Sequence, residues 1–556
     1  MQKNSLHRRL FSKASQAVQK PFPSVAEGLT ELSRQLDRAL TIAVVGEYSS
    51  GKSTFLNAML ERSVLPTGIK PTTSCVTYLR HGSSPSAVFH YSDGSSRSRD
   101  IQSLQTEGLH DASSNTDIDQ IDVFVPSPLL EKSLILIDTP GLNAPNARDT
   151  ERTQTILQHA DVIIWLTSAQ QIFANTELAV LKKYEKRFRR KSLCVISQVD
   201  LLNEPKSEVP LLLGRAESML GDYFKVIVPI SAWQALRGDI QQFEPLNKVL
   251  WGDLVPRSKD IVASGLVVDA EELLEKEIKK LDRERASIDS VRNDVLRFLE
   301  TYNNLTAAHL ANLKSRIEVL QRELDRIHDK LLSRIQSSLT TWSDAEPYTA
   351  TEPGWFVDDK VVRYRTIQRW HWPESKAKKV NDTIWDKIDG EMKAFFKSVK
   401  SEHKQYKIDV VNACDELLVT SKETNEQAYR IIESATQSIL IPKLDLIWSD
   451  FVVWLRGYTR AAIKAGNVAA VRAQIYFDMS TTKPKAKRIN GLVKEFLPMG
   501  RMKSALSEDR RGYNNRMKRL GKSTEKKILG GIDTLMTNAT TNVDALQQAK
   551  RILTSV

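Results

Sequence analysis

A mostly parallel, doubly wound α/β domain of the P-loop type, followed by a long α-helical bundle that forms a neck or trunk, is the architecture this 556-residue sequence predicts. Three observations predict it. Short β-branched runs alternate with segments of helical length through the first half of the chain, the pattern of a parallel sheet covered on both faces. The pattern Gly46-Glu47-Tyr48-Ser49-Ser50-Gly51-Lys52-Ser53 follows the first of those runs and opens a helix. Gly and Pro then thin out: residues 1–265 hold 13 of the 23 Gly and 14 of the 20 Pro, and residues 266–346 hold neither, so nothing there interrupts a helix.

Taken in order, residues 1–38 have helical character divided by Pro21 and Pro23 and read as helices docking on the C-terminal bundle. Residues 39–262 form the α/β domain, with strands expected at Thr41–Val45, Val76–Leu79, Ile121–Val125, Leu134–Ile137, Val162–Trp165, Leu193–Ile196 and Val226–Ile230. Residues 263–556 form the helical part. The Gly- and Pro-free run is expected as two consecutive helices. Within it Leu310, Leu313, Ile317, Leu320, Leu324, Ile327 and Leu331 alternate spacings of three and four, a heptad seam. Ile447, Trp448, Phe451, Val452 and Leu455 form a bundle face. The aromatic-rich residues 342–375 are expected as a packed corner between helices, with a rival membrane-facing tip as the alternative.

The P-loop explains its residue types. Gly46 and Gly51 let the backbone turn and bring N–H groups to phosphate oxygens, and the following helix N-terminus, at Thr54, adds its dipole. Lys52 reaches the terminal phosphates and the Ser53 hydroxyl ligates Mg²⁺. Asp138 ends an apolar strand and suits a place beside that Mg²⁺; in Asp138-Thr139-Pro140-Gly141, the Gly141 N–H faces a γ-phosphate. Between the two lies Leu65-Pro66-Thr67-Gly68-Ile69-Lys70-Pro71-Thr72-Thr73-Ser74, a switch loop in which Thr73, with Thr72 as the alternative, is expected to reach Mg²⁺. Ser197-Gln198-Val199-Asp200 stands where a guanine reader of the form Asn/Thr-Lys-x-Asp is usual. Asp200 accepts from guanine N–H groups, and Gln198 replaces the Lys that covers the base, so GTP is favoured with weaker base affinity. Together these indicate an NTPase of the GTPase type.

These residues resemble the dynamin superfamily of large GTPases, most closely its bacterial dynamin-like branch. The blocks are GEYSSGKSTFLNAML at 46–60, LPTGIKPTTS at 65–74, FVPSPLL at 124–130 and LILIDTPGLNA at 134–144. The spacing of the switch Thr is shared with mitofusins, which favours Thr73. Ser231-Ala232 resembles the fifth GTPase motif, which flanks the base. Tyr48 stands where classical dynamins carry Gln. The resemblance implies that Ser49 helps hold a monovalent cation (K⁺ or Na⁺) during hydrolysis. It also implies that GTPase domains dimerise across their nucleotides, as a homodimer or oligomer or with a dynamin-like paralogue.

The net charge is +12, and residues 483–527 hold 15 basic against 4 acidic residues around Phe496-Leu497-Pro498-Met499-Gly500. A basic segment with an apolar tip suits an anionic membrane surface. The same charge would serve a protein or nucleic-acid partner in a GTP-dependent switch or scaffold, the alternative reading, although the apolar tip makes nucleic acid the lesser expectation. Three scattered cysteines, no apolar run of 18 residues and no secretory signal lead to the expectation of a cytoplasmic, peripherally membrane-associated protein.

Overall fold

The computed structural model describes residues 2–67, 75–102, 104, 118–131, 133–142, 147–173, 175–188, 191–352, 359–478, 485–496 and 499–555. They form two compact units, residues 1–281 with 541–556, and residues 282–540.

The first unit is built on a nine-stranded sheet. Its strands are β1 (Leu40–Gly46), β2 (Val76–His81), β3 (Ser86–Tyr91), β4 (Ser96–Arg99), β5 (Ile118–Val125), β6 (Leu134–Asp138), β7 (Val162–Ser168), β8 (Ser192–Ser197) and β9 (Phe224–Ile230), in the order β4-β3-β5-β2-β6-β1-β7-β8-β9. The run β6-β1-β7-β8-β9 is parallel. β2 turns the direction against β6 but runs parallel to β5, and β3 and β4 are antiparallel additions at the edge. The sheet is therefore mostly parallel, as its sequence predicts. β3 and β4 were not anticipated: β4 is Ser-Arg-Ser-Arg and largely exposed, with no apolar alternation to announce it.

Because side chains alternate along β1, Ile42 and Val44 enter one core while Ala43 and Val45 enter another on the opposite face. The first core also takes Phe11, Ala14 and Val18 from the helix Gln2–Val18, Val25 and Leu29 from the helix Pro23–Arg34, and Val543, Leu546, Ala549 and Leu553 from the chain's end. Gly28 packs closely there: a Cβ would stand 2.9 Å from Leu273 Cδ2, so the leucine would have to turn aside for a larger residue.

Among its described residues the second unit has a single core along its helices. The helix Ser258–Ser338 is one element of 81 residues, correcting the expectation of two. Its seam does not pause: Ile288, Val291, Val295, Phe298 and Tyr302 precede the heptads from Leu310 to Leu331, and all are buried. The helices Glu374–Thr424, Glu426–Ala435, Ile441–Asp478, Ala486–Phe496 and Met499–Leu553 supply the rest, with Ile447, Phe451 and Leu455 buried as expected. Residues 342–375 are not a packed corner. Thr340–Glu352 (β10) and Asp359–His371 (β11) pair as an antiparallel ribbon on which Trp342, Tyr348 and Tyr364 are exposed, and among the described residues of this stretch only Trp372 is deeply buried. Leu497 and Pro498 lie outside the described residues, between the ends of two helices.

Candidate active site

Parallel pairing sets Val44 opposite Asp138 and Gly46 opposite Leu166. The carboxyl ends of β1, β6, β7, β8 and β9 thus open on one edge of the sheet, where α/β folds bind ligands.

β1 passes at Gly46 into a loop that ends in the helix Lys52–Met59. Three glycines shape the loop for different reasons. A Cβ on Gly46 would stand 2.2 Å from the Leu166 carbonyl oxygen, so the neighbouring strand demands glycine there. Gly51 has φ +87° and open space where a Cβ would lie. A Cβ on Gly141 would stand 2.8 Å from Tyr48 N and Cα, so the loop after β6 packs directly on the P-loop backbone. The Gly46 reason differs from the phosphate-turning role read from sequence.

Lys52 is buried, and its Nζ donates to the carbonyls of Gly46 (3.2 Å) and Glu47 (2.9 Å). Burial lowers its pKa to about 8, against the opposing pull of the Asp138, Glu177 and Glu47 carboxylates. Glu177 is itself buried, accepting from Trp165 Nε1 at 2.9 Å and Thr167 Oγ1 at 3.3 Å. Ser53 Oγ donates to Asp138 Oδ2 at 2.7 Å, joining the P-loop helix to β6. Thr139 Oγ1 donates to the Val44 carbonyl at 2.8 Å. Ser50 is buried and Thr54 half-buried, while Tyr48 and Ser49 are exposed on the loop, Ser49 at φ +61°.

Thr72 and Thr73 lie outside the described residues. The chain on both sides is placed: Asn57 Oδ1 accepts from Val64 N (2.9 Å) and Leu65 N (2.8 Å), its Nδ2 donates to Leu65 O (2.8 Å), and Thr77 on β2 stands opposite Asp138.

Gln198 does something its motif position did not reveal. At φ +63° its Nε2 donates to the Ser49 carbonyl (2.8 Å) and its Oε1 accepts from Ser168 Oγ (2.9 Å). Ser197 Oγ donates to the Ser50 carbonyl at 2.7 Å. The ends of β7 and β8 therefore clamp the P-loop carbonyls, an arrangement whose only sequence signal is Ser and Gln in place of Asn and Lys. Asp200 follows in the short 3₁₀ turn Val199–Leu201, half-exposed. Ser231 is buried at the end of β9, accepts from Gln234 N at 3.2 Å and caps the turn beginning at Ala232.

A buried lysine in a strand–loop–helix turn, joined through Ser53 to the acidic end of β6, defines a P-loop nucleotide-binding domain. Residues 42–199 match the model of the Dynamin family. Dynamin-like protein 2 of Campylobacter jejuni is 30% identical over 345 residues, 60% of this chain and 54% of that protein. The match thus spans about half of that relative's length. Mitofusin-2 of Mus musculus is 29% identical over 190 residues, 32% of this chain and 24% of that protein. A solved chain described as part of an oligomerised bacterial dynamin pair, said to provide a mechanism for long-range sensing and tethering of membranes, superposes with a TM-score of 0.61. It is 18% identical and covers 99% of this chain and 95% of that one, so the two share a fold. Residues 42–199 are thus similar to the Dynamin family, and the chain as a whole is similar to bacterial dynamin-like proteins.

Proposed function

We propose that this chain hydrolyses GTP and couples the nucleotide state to membrane binding or tethering. The observation that carries the reading is the buried constellation of Lys52, Ser53 and Asp138. Lys52, held by the Gly46 and Glu47 carbonyls, is poised to exchange them for β- and γ-phosphate oxygens. Ser50, Gly51, Ser53 and Thr54 line the turn whose N–H groups receive phosphate. The hydroxyl–carboxylate pair of Ser53 and Asp138 is a hard-oxygen donor set that fits Mg²⁺, with Thr73 as the switch residue that joins them. Mg²⁺ bound there would neutralise charge on the β- and γ-phosphates. Gly141 offers its N–H to the γ-phosphate. Ser49, exposed at the loop tip, is the position for a monovalent cation in a dimer of nucleotide domains. Asp200, with Ser231 and Ala232 flanking, reads the base, and Gln198 stabilises the loop beneath it.

Lys52→Ala tests the site. Hydrolysis is expected to fall at least a hundredfold with the circular dichroism unchanged, since the lysine's work is electrostatic positioning. Near-normal turnover would remove the P-loop from the account. Asp200→Asn should weaken GTP selectively, and a wild-type protein that turns over ATP as readily would overturn guanine reading.

For the membrane, the support is the basic segment from Lys485 onward, where Lys485, Lys487 and Arg488 are exposed at the start of an eleven-residue helix. Among the described residues no helix is long and apolar enough to cross a bilayer, so the contact proposed is peripheral. Changing Lys485, Lys487 and Arg488 to Glu should weaken sedimentation with anionic liposomes, most at low salt, and leave basal hydrolysis intact. Self-assembly, or assembly with a dynamin-like relative, follows the solved bacterial pair by likeness of fold.

A further inference from the structure

Among the described residues β10 and β11 stand as a two-stranded sheet with no third strand, each 13 residues long. Such a ribbon runs for about 40 Å and has two open edges, which proteins usually blunt because unpaired backbone groups recruit other strands. Here the two edges differ. On β10, Ala345 N–H donates to Asp344 Oδ1 at 2.9 Å, so it faces away from β11. Pro347, two residues on and facing the same way, has no N–H to offer. Two successive outward positions of β10 are thereby closed.

The same observation orients β11. Ala345 lies opposite Thr366 and Pro347 opposite Tyr364. These are non-hydrogen-bonded pairs, so Thr366 and Tyr364 turn their N–H and C=O groups outward, and by the period of two Lys360, Val362 and Gln368 do likewise. The register is unbroken along the ribbon, and this edge carries no proline, glycine or bulge. Among the described residues no hydrogen bond takes up the outward N–H of Val362, Tyr364 or Thr366. Their side chains are exposed, Val362 at 59% and Tyr364 at 69%. The helix Ile441–Asp478 approaches β11, and the half-buried Ile367, Arg369 and Trp370 mark the basal end; residues 360–366 are exposed throughout.

We propose that β11 is a self-association edge: two copies of this chain pair their β11 strands antiparallel about a two-fold axis at Tyr364, forming one four-stranded sheet β10-β11-β11-β10. The sequence is self-complementary in that register. Tyr364 meets Tyr364 of the second copy, Val362 meets Thr366, Val361 meets Ile367 and Lys360 meets Gln368, which are the apolar and polar cross-strand pairs that stabilise sheets. Two symmetry-related like-charge encounters remain, Arg363 with Arg365 on either side of the axis, and Arg365 is already held by Glu346 through Nε (3.0 Å) and Nη2 (2.7 Å). The contact is isologous and closes at two copies. A two-fold centred instead at Thr366 would push the pairing into the half-buried basal end and set Arg363 against Arg369.

Cysteine cross-linking of the full chain tests this. The native Cys75, Cys194 and Cys414 are all buried, so Tyr364→Cys adds an exposed thiol. In a hydrogen-bonded antiparallel pair the two Cα atoms stand about 5.5 Å apart, within disulfide reach. Without nucleotide, mild oxidation should convert most of Tyr364→Cys to a covalent dimer, and Thr349→Cys, on the blunted strand, at least tenfold less. Adding Val362→Pro and Thr366→Pro removes outward N–H groups but no bond within the ribbon, and should cut cross-linking at least tenfold with helical circular dichroism unchanged. Val362→Lys with Thr366→Lys keeps every N–H and sets lysines opposite each other; the same loss is expected. Lys52→Ala should leave this dimer intact, separating it from a nucleotide-driven one. Equal cross-linking of Tyr364→Cys and Thr349→Cys would overturn the proposal. So would cross-linking indifferent to both double substitutions, or a wild type that sediments as a monomer while those substitutions abolish liposome binding.

Discussion

Gly141 packs against the P-loop backbone at Tyr48, and Gln198 bonds to the same loop at the Ser49 carbonyl. Gly141→Ala would drive a methyl to 2.8 Å from Tyr48 backbone atoms, which have no rotamer to escape through. The P-loop must shift, and hydrolysis is expected to drop more than tenfold, since about 1.4 kcal/mol of lost positioning already costs that much. Gln198→Ala removes the bonds to the Ser49 carbonyl and Ser168 hydroxyl. At about 0.5–0.7 kcal/mol each, the low end for partly exposed bonds, nucleotide affinity should weaken roughly five- to tenfold in a fluorescent-nucleotide titration. Unchanged affinity would show that the clamp is idle. The P-loop was legible because phosphate geometry dictates a spacing that chance seldom reproduces. The clamp was not, because Ser197 and Gln198 act through carbonyls of residues some 150 positions away, and such pairings leave no local pattern.

At the scale of elements, the seam of the helix Ser258–Ser338 is where a single change should cost most. Leu313 and Leu324 are fully buried in it. Leu324→Ala should destabilise by about 2–5 kcal/mol, transfer loss and cavity together, while GTP turnover at low temperature stays near wild type; an unfolding midpoint unmoved by the change would contradict the packing. The expectation of two helices rested on ordinary helix lengths. Burial at three- and four-residue steps from Ile288 to Ile335 instead sustains one helix by tertiary contact. β10 and β11 escaped notice for the opposite reason. Their alternation is of charge rather than of hydrophobicity: Asp344–Arg369 and Glu346–Arg365 are cross-strand ion pairs, and an apolar template does not register them. Aromatic content suggested a core, yet Trp342 is 45% exposed and Tyr364 more so.

At the scale of the molecule, the trunk carries an acid-sensitive core that composition does not suggest. His309 stacks on Tyr406 at 4.5 Å and its Nε2 meets the Tyr513 hydroxyl at 3.0 Å, while His403 stacks on Trp448 at 4.0 Å. Both imidazoles are nearly inaccessible. Burial lowers His309 to about 4 and His403 to about 3; for His403, His309 and Lys407 add to the lowering and Asp445 opposes it. In the unfolded chain both would protonate near 6.5. The unfolded state therefore binds more protons between about 6.5 and those values, so stability present at neutral pH is lost as pH falls through that window. At about 1.4 kcal/mol per unit per group, the two together cost on the order of 4 kcal/mol by pH 5. Asp509, pushed up to about 6 by burial, works the other way, gaining a proton in the folded state first, and offsets less than one histidine contributes. Denaturant midpoints should accordingly fall steeply from pH 7 to pH 5. His403→Phe keeps an aromatic ring on Trp448 and removes the titration, so it should take away roughly half of that dependence. An acid limb identical to wild type would place the sensitivity elsewhere. The expected flattening would tie it to two buried rings on helices whose sequence spacing, His309 and His403 being 94 residues apart, gives no hint that they meet.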